Sequence, residues 1–505
     1  MRTRRTTAAD WGTSTVLGSA AARGALVSAS TTWLRFALQL ATMVVVARIV
    51  GPAQYGAAAT ALVAVTAAEL VRSGGITWLI GRLPDLSAAS TAALHWLSVG
   101  IGAAVGAVLL VVGAIVPPAQ LPAGPFTFPL LALVFVAAGI GAVPTALLGR
   151  NLAFRPIGAG EVGAAVVSCV VSVTAAAIGA GSGALLLQAG TYALVLVVVI
   201  VSVTPWRPGR PAPLRSLRAE LGFAANATVS QGLEWVVRSF DRLIVAALFG
   251  TAAAGFYVQA AQLVTLPTEQ VNGPLRRVAV PALGRLVGTP AFGRAFRTVL
   301  ALSCAVLWPL LAVLAVLARP LVSTVFGAEW LPTVPVFTAM VPMGLASVVS
   351  GVTTFVALAA GLAGRQTVWE CAVSRPLTLV GFFVGSLWGV TGVALGASAA
   401  TVALVVPGFL VIGSRAALTL RDLVVPLVEP AIGTVVCAMS AIAVTAFVEG
   451  PPILLLFLGG GVAVIVWIAV FLALPGTRRV GRQVLGAVRR RPGPAPNDVP
   501  ATSAA

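Results

Sequence analysis

Apolar runs long enough to cross a bilayer recur along almost the whole chain, and no water-soluble fold could bury so many. A spanning helix needs about twenty mostly apolar residues. Such runs lie near 26–47, 56–81, 93–116, 126–148, 159–180 and 183–204. After a polar Arg/Pro segment, Pro205 to Glu220, they resume near 221–248, 255–280, 297–318, 333–362, 367–388, 390–413, 424–447 and 452–474. Only 9% of the 505 residues are charged, where a soluble domain carries about a quarter. The expected fold class is therefore an all-α integral membrane protein with about 14 transmembrane helices.

The charges that remain are placed by side. All 32 basic residues are arginine. With a cytoplasmic N-terminus, the loops expected inside hold Arg82, Arg150, Arg155, the four of the 205–220 segment, Arg276, Arg277, Arg285, Arg294, Arg297, Arg365, Arg375, Arg415 and Arg421. The C-terminal tail adds six more, and the loops expected outside hold only Arg48 and Arg319. Cytoplasmic loops are enriched in basic residues, so an even number of spans with both termini in the cytoplasm is expected. The net charge of +18 is dispersed over these loops and does not form a nucleic-acid-binding domain. The run after Arg23 contains Arg35 and lacks a small-x-small cleavage site, which reads as a retained first span.

Several function classes lack their residues. There is no Walker A loop, H-E-x-x-H or G-x-S-x-G, and one histidine, His95, cannot build a metal site. Cys169, Cys304, Cys371 and Cys437 sit singly inside apolar runs and read as packing residues. No cofactor and no enzymatic activity are expected. Trp33, Trp78, Trp96, Trp206, Trp330 and Trp388 lie near span ends and read as interface anchors.

The two halves resemble each other. Arg48–Gly56 (RIVGPAQYG) aligns with Ala247–Gly255 (ALFGTAAAG), so that Gly51 meets Gly250 and Gly56 meets Gly255; without a gap Gly74 then meets Gly273. Both matches join the first span of a half to its second, which makes the repeat parallel.

Ionisable groups inside a span are costly against lipid and usually face a wet cavity or each other. They cluster in the first two spans of each half. Span one carries Arg35, Gln39 and Thr42 on one helical face; span two carries Thr66, Glu69 and Arg72. Span seven carries Glu234, Arg238, Asp241 and Arg242, and span eight Gln262, Thr265, Glu269 and Asn272. The candidate transport-cavity residues are Arg35, Gln39, Glu69, Arg72, Glu234, Arg238, Asp241, Arg242 and Glu269. Their bland alternative is mutual neutralisation within a helix, as Glu69 with Arg72 or Glu234 with Arg238. Glu161, Glu370, Glu429 and Glu449 read as solvated helix ends or loop residues.

ARIVGPAQYG (Ala47–Gly56), GRNLAFRPIGAGEV (Gly149–Val162), FDRLIVAALFGTAAAGFYVQAAQL (Phe240–Leu263), Pro267 with RRVAVPALGRL (Arg276–Leu286), and VFGAEWLPTVPVF (Val325–Phe337) occur in an order that resembles polysaccharide flippases of the Wzx/PST type. These belong to the multidrug/oligosaccharidyl-lipid/polysaccharide (MOP) exporter superfamily. The resemblance implies two six-helix bundles around a central cavity, with two helices added at the C-terminus. The expected division is a cytoplasmic tail (1–25), a first bundle (26–204), a linker (205–220), a second bundle (221–413), two additional helices (424–474) and a basic tail (475–505). It implies that the chain flips undecaprenyl-pyrophosphate-linked oligosaccharide from the inner to the outer leaflet of the cell membrane, by alternating access. Arg35, Arg238 and Arg242 would engage pyrophosphate or acidic sugars, and Glu234, Asp241 and Glu269 would balance them or bind a coupling ion, H⁺ or Na⁺. Asp241 stands where the family motif has its aspartate. Polysaccharide polymerase and assembly proteins are the expected protein partners. Rival readings are a small-molecule antiporter of the same fold and a polysaccharide polymerase or ligase.

Overall fold

The computed structural model describes residues 14–73, 75–82, 87–117, 124–151, 153–211, 218–474 and 478. No strand occurs among them, and nearly all are helical. The chain forms two compact units, Met1–Val258 and Gln259–Ala505. The first contains α1 (Ser14–Ser73), α2 (Gly75–Arg82), α3 (Ala88–Ile115), α4 (Thr127–Arg150), α5 (Phe154–Ala177), α6 (Gly183–Val203) and α7 (Arg218–Gly284) as far as Val258. The second contains the rest of α7, then α8 (Ala291–Val316), α9 (Ala318–Val325), α10 (Thr333–Ala359), α11 (Ala363–Trp369), α12 (Arg375–Ser386), α13 (Gly389–Gly413), α14 (Leu420–Phe447) and α15 (Pro452–Ala473).

Among the described residues eleven helices are long and apolar enough to cross a membrane. Two of these, Trp33–Thr77 and Ser239–Gly284, are about twice the usual length, because each carries two of the expected spans on either side of a glycine. α1 breaks at Gly51 (φ 76°, ψ 167°) and α7 at Gly250 (φ 83°, ψ 175°). A residue with a Cβ rarely enters this backbone region, at a cost of roughly 1–3 kcal/mol. Pro52, whose fixed φ suits the first position of a helix, restarts the second arm of α1. The expected loops at 48–55 and 249–254 are thus contracted to single-residue breaks. The two glycines that the repeat aligned adopt nearly the same backbone angles.

The next aligned pair meets in space. A Cβ built on Gly56 would overlap the Thr251 carbonyl oxygen and lie 2.5 Å from Gly255 N. One built on Gly255 would strike the Pro52 carbonyl and lie 3.3 Å from Gly56 N. Backbone packs on backbone here, so the glycine-containing turns of α1 and α7 touch without intervening side chains.

The eleventh expected span, 367–388, is not one regular helix. α11 and α12 are joined by a π-helical turn at Glu370–Ser374. α12 then packs on α13 through facing small residues: a Cβ on Gly381 would lie 2.5 Å from the Gly396 carbonyl, and one on Gly385 would overlap the Gly392 carbonyl. Helices in lipid gain little from burying apolar surface against each other, so such close approach supplies the van der Waals contact that holds them.

In the second unit a core joins Phe292, Phe296, Leu300 and Leu307 of α8 with Val348, Val352 and Phe355 of α10 and Phe409 and Ile412 of α13. Phe296 and Phe409 stack with centroids 5.7 Å apart. Outward faces keep large apolar side chains exposed, including Val111, Ile115, Phe457 and Ile465, as lipid-facing surfaces do. Trp330, expected at an interface, is instead 1% exposed and packs against Phe326 at 5.9 Å. The fold is that of a multi-pass membrane protein.

Replacing Gly385 by Val should force α12 from α13 and destabilise the protein by about 1–3 kcal/mol, the usual cost of overpacking. The melting temperature of the detergent-solubilised protein measures this. Gly163→Ala, where a Cβ would meet nothing within 4 Å, is the control and should not lower it, since Ala favours the helix over Gly.

Candidate functional site

The first unit holds a partly open cavity of about 340 Å³ between both arms of α1, α4, α5 and α6. Its walls are mainly Leu62, Val65, Val134, Ala138, Leu185, Leu196 and Val197, with polar groups at eight points: Gln39, Thr42, Thr66, Glu69, Thr145, Ser168, Gln188 and Tyr192. An apolar pocket with a few converging polar groups is the common form of a small-molecule site.

The hydroxyls are largely committed as donors. Thr66 Oγ1 donates to the Val63 carbonyl at 2.7 Å, Thr145 Oγ1 to Gly141 O at 2.7 Å, and Ser168 Oγ to Ala165 O at 3.1 Å. Thr42 Oγ1 lies 2.7 Å from Leu38 O and 2.7 Å from Cys169 Sγ. A Ser or Thr hydroxyl has one proton and two lone pairs. With the proton held by the helix backbone, each presents acceptor capacity to the cavity. Thr66 already accepts from Trp235 Nε1 at 2.6 Å, and Gln188 Oε1 from Ser172 at 3.4 Å.

Of the nine expected site residues, Gln39 and Glu69 line this cavity. Arg35 does not. Its guanidinium Nη1 is 2.8 Å from Glu161 Oε2 of α5, with the two side chains 31% and 29% exposed. Glu161, expected to be a solvated helix end, is therefore the partner of an intramembrane arginine. Such a pairing keeps both charges from facing hydrocarbon alone.

Asp241 and Arg242 form a second group, on the first arm of α7. Asp241 Oδ1 accepts from the Arg242 backbone N–H at 2.8 Å, and Oδ2 accepts from the Tyr257 hydroxyl at 3.2 Å. Tyr257 is 1% exposed and stands sixteen residues on, beyond the Gly250 break. This bond ties together residues on either side of the Gly250 break.

Glu269 lies in the second unit and is exposed. Nearby on the same arm, the amide oxygens of Gln262 and Asn272 are buried without a hydrogen-bond partner among the described residues, as are both amide atoms of Gln259. The side chains of Arg72, Glu234 and Arg238 lie outside the described residues. Glu370, also expected to be solvated, accepts from Gln366 Nε2 at 2.8 Å and pairs with Arg375 at 3.5 Å across the π turn.

Sequence reasoning passed over Gln188, Tyr192, Thr145 and Ser168. Gln188 carried a signal, as the one amide in an otherwise apolar α6. A search confined to ionisable groups does not see it.

Residues 45–335 match the polysaccharide biosynthesis protein family. The chain is 26% identical over 385 residues to the Escherichia coli lipopolysaccharide biosynthesis protein WzxC, covering 74% of this chain and 77% of that one. It is 23% identical to the Rhizobium meliloti succinoglycan biosynthesis transport protein ExoT, covering 68% and 70%. It is 24% identical to the Bacillus subtilis teichuronic acid biosynthesis protein TuaB, covering 61% and 64%. In fold it resembles the lipid II flippase MurJ in an inward closed conformation, with a TM-score of 0.69 at 12% identity over 91% of this chain and all of the other.

If Arg35 and Glu161 neutralise each other, Arg35→Glu or Glu161→Arg alone should lower the amount of folded protein in the membrane, and the double exchange should restore it. Quantified membrane levels and melting temperature report this. Tyr257→Phe removes one hydrogen bond without changing shape and should cost about 1 kcal/mol.

Proposed function

Because the chain belongs to the polysaccharide biosynthesis protein family, we propose that it flips undecaprenyl-pyrophosphate-linked oligosaccharide from the cytoplasmic to the outer leaflet for cell-surface polysaccharide synthesis. The observation that carries this reading is a cavity in the first unit whose largely apolar wall carries amides, hydroxyls and the Glu69 carboxyl group. A polar head group needs such surroundings to pass through hydrocarbon, where each unmatched hydrogen-bonding group costs several kcal/mol. The polyprenyl tail needs none and stays in lipid. The chain is a transporter and not an enzyme.

Transport proceeds by alternating access, with a proton or Na⁺ as the coupling ion. Arg242 and Arg238 are the proposed contacts for the pyrophosphate, since a guanidinium meets two phosphate oxygens through parallel hydrogen bonds. Asp241 and Glu234 offset them, and Glu269 and Arg72 complete the polar faces. Arg35 is reassigned from substrate contact to the pair with Glu161, which fixes α1 against α5 (2.8 Å). Polysaccharide polymerase and assembly proteins are the proposed partners in the cell membrane.

The test is reconstitution. Purified protein in liposomes holding a fluorescent undecaprenyl-pyrophosphate oligosaccharide in one leaflet should speed its appearance in the other. Asp241→Asn and Arg242→Ala should each slow that transfer by about tenfold or more, consistent with loss of a charged hydrogen bond of roughly 1.5–3 kcal/mol. Transfer no faster than in protein-free liposomes would remove the flippase reading. Wild-type rates in both variants would remove these residues from the site.

A further inference from the structure

The end of the second unit where α8, α14 and α15 come together holds more arginine than its carboxylates can balance. We propose that this end binds an anionic phospholipid of the surrounding bilayer, with Arg294, Arg297 and Arg421 on the phosphate and the acyl chains along the exposed face of α14. The proposal is independent of the flippase reading.

α14 begins with a capping box. Asp422 Oδ2 accepts from the Thr419 backbone N–H at 2.9 Å and from the Thr419 hydroxyl at 2.8 Å. The start of α8 lies against this turn. A Cβ built on Gly293 would be 3.6 Å from the Leu418 side chain and 3.7 Å from Asp422 Oδ1, and Arg297 Nε is 3.5 Å from that same oxygen. Arg294 precedes Arg297 by one turn on the same face of α8, and Arg421 adjoins Asp422. Leu474 of α15 borders a crevice with Glu429 and Pro430 of α14. Arg478, whose N–H bonds to the Leu474 carbonyl at 3.0 Å, therefore comes to the same end.

Asp422 is one carboxylate among three guanidinium groups, and its second oxygen is already held by Thr419. Glu429 lies further along α14 and has an interaction of its own. The guanidinium groups of Arg294 and Arg421 are exposed and make no hydrogen bond or ion pair among the described residues. The Arg297 side chain is 41% exposed. An excess of positive charge remains, in reach of a ligand from outside.

Arginine at one end of a span serves orientation by itself. A phospholipid site needs a second element, an apolar strip leading from the charge into the bilayer. Val424, Val428, Ile432, Val435 and Met439 follow Arg421 at spacings of three and four residues, so they share its face of α14. Each is about half exposed, from 48% to 61%. A phosphodiester presents two unprotonated oxygens, which a guanidinium meets through parallel hydrogen bonds. Phosphatidylglycerol brings that charge uncompensated. Phosphatidylcholine carries its own cation, which the arginines repel.

The experiment uses full-length protein in a neutral detergent. Phosphatidylglycerol, phosphatidylcholine, inorganic phosphate and undecaprenyl pyrophosphate are added separately, and retained lipid and melting temperature are read by native mass spectrometry and thermal unfolding. Phosphatidylglycerol should bind at least tenfold more tightly than phosphatidylcholine. Arg294→Gln and Arg421→Gln together should weaken it by about tenfold, while melting in phosphatidylcholine stays as in the wild type. Each single substitution should weaken it less, which keeps the test available if the double variant fails to accumulate. Arg319→Gln, exposed in α9 beyond the other end of α8, should change nothing. Equal binding of the two phospholipids overturns the proposal and leaves these arginines a role in orientation alone. Phosphatidylglycerol binding that ignores both substitutions overturns it too. Equal stabilisation by inorganic phosphate would assign the site to a free anion. Undecaprenyl pyrophosphate that displaces phosphatidylglycerol through the same arginines would assign it to a polyprenyl carrier. Either result replaces the bilayer phospholipid as the occupant.

Discussion

Hydrocarbon offers no hydrogen bonds, and most of this molecule follows from that. Backbone groups are satisfied within helices, which is why nearly all of the described chain is helical. Polar side chains have three refuges: a partner, their own helix, or a cavity. All three are used. Arg35 reaches across to Glu161 on another helix. Thr145 and Ser168 turn back onto the carbonyls of the preceding turn. Gln39 and Glu69 open onto a cavity. The same constraint that builds the fold therefore also marks where something polar could be accommodated.

The parts legible in the sequence were those with local signatures. Hydropathy located the helices, and the glycine register anticipated the matching breaks at Gly51 and Gly250, because only glycine enters that backbone region at little cost. Gln39 and Glu69 were marked by polar residues at helical spacing, but for a central cavity between the two halves; the pocket they line lies within the first unit. Asp241 and Arg242 were marked too, but not the bond to Tyr257 that anchors the aspartate.

What escaped the sequence was pairing between distant residues. Glu161 lies 126 positions from Arg35, and nothing in its neighbourhood distinguishes it from a glutamate at a wet helix end. The π turn was invisible because one surplus residue leaves the hydropathy of 367–388 unchanged. The donor–acceptor balance of the cavity was out of reach for a similar reason. Whether a threonine donates inward or backward depends on its rotamer and on the neighbouring turn, not on its identity.

The π turn at Glu370–Ser374 has a consequence for everything downstream in its segment. A helix advances about 100° per residue, so one additional residue within a turn rotates all that follows by that angle. Gly381 and Gly385 meet Gly396 and Gly392 only in this rotated phase. In a regular α-helix with the same starting point, bulkier neighbours would occupy that seam. The bulge acts as a phase adjuster: it sets the angle at which α12 presents its glycine seam to α13.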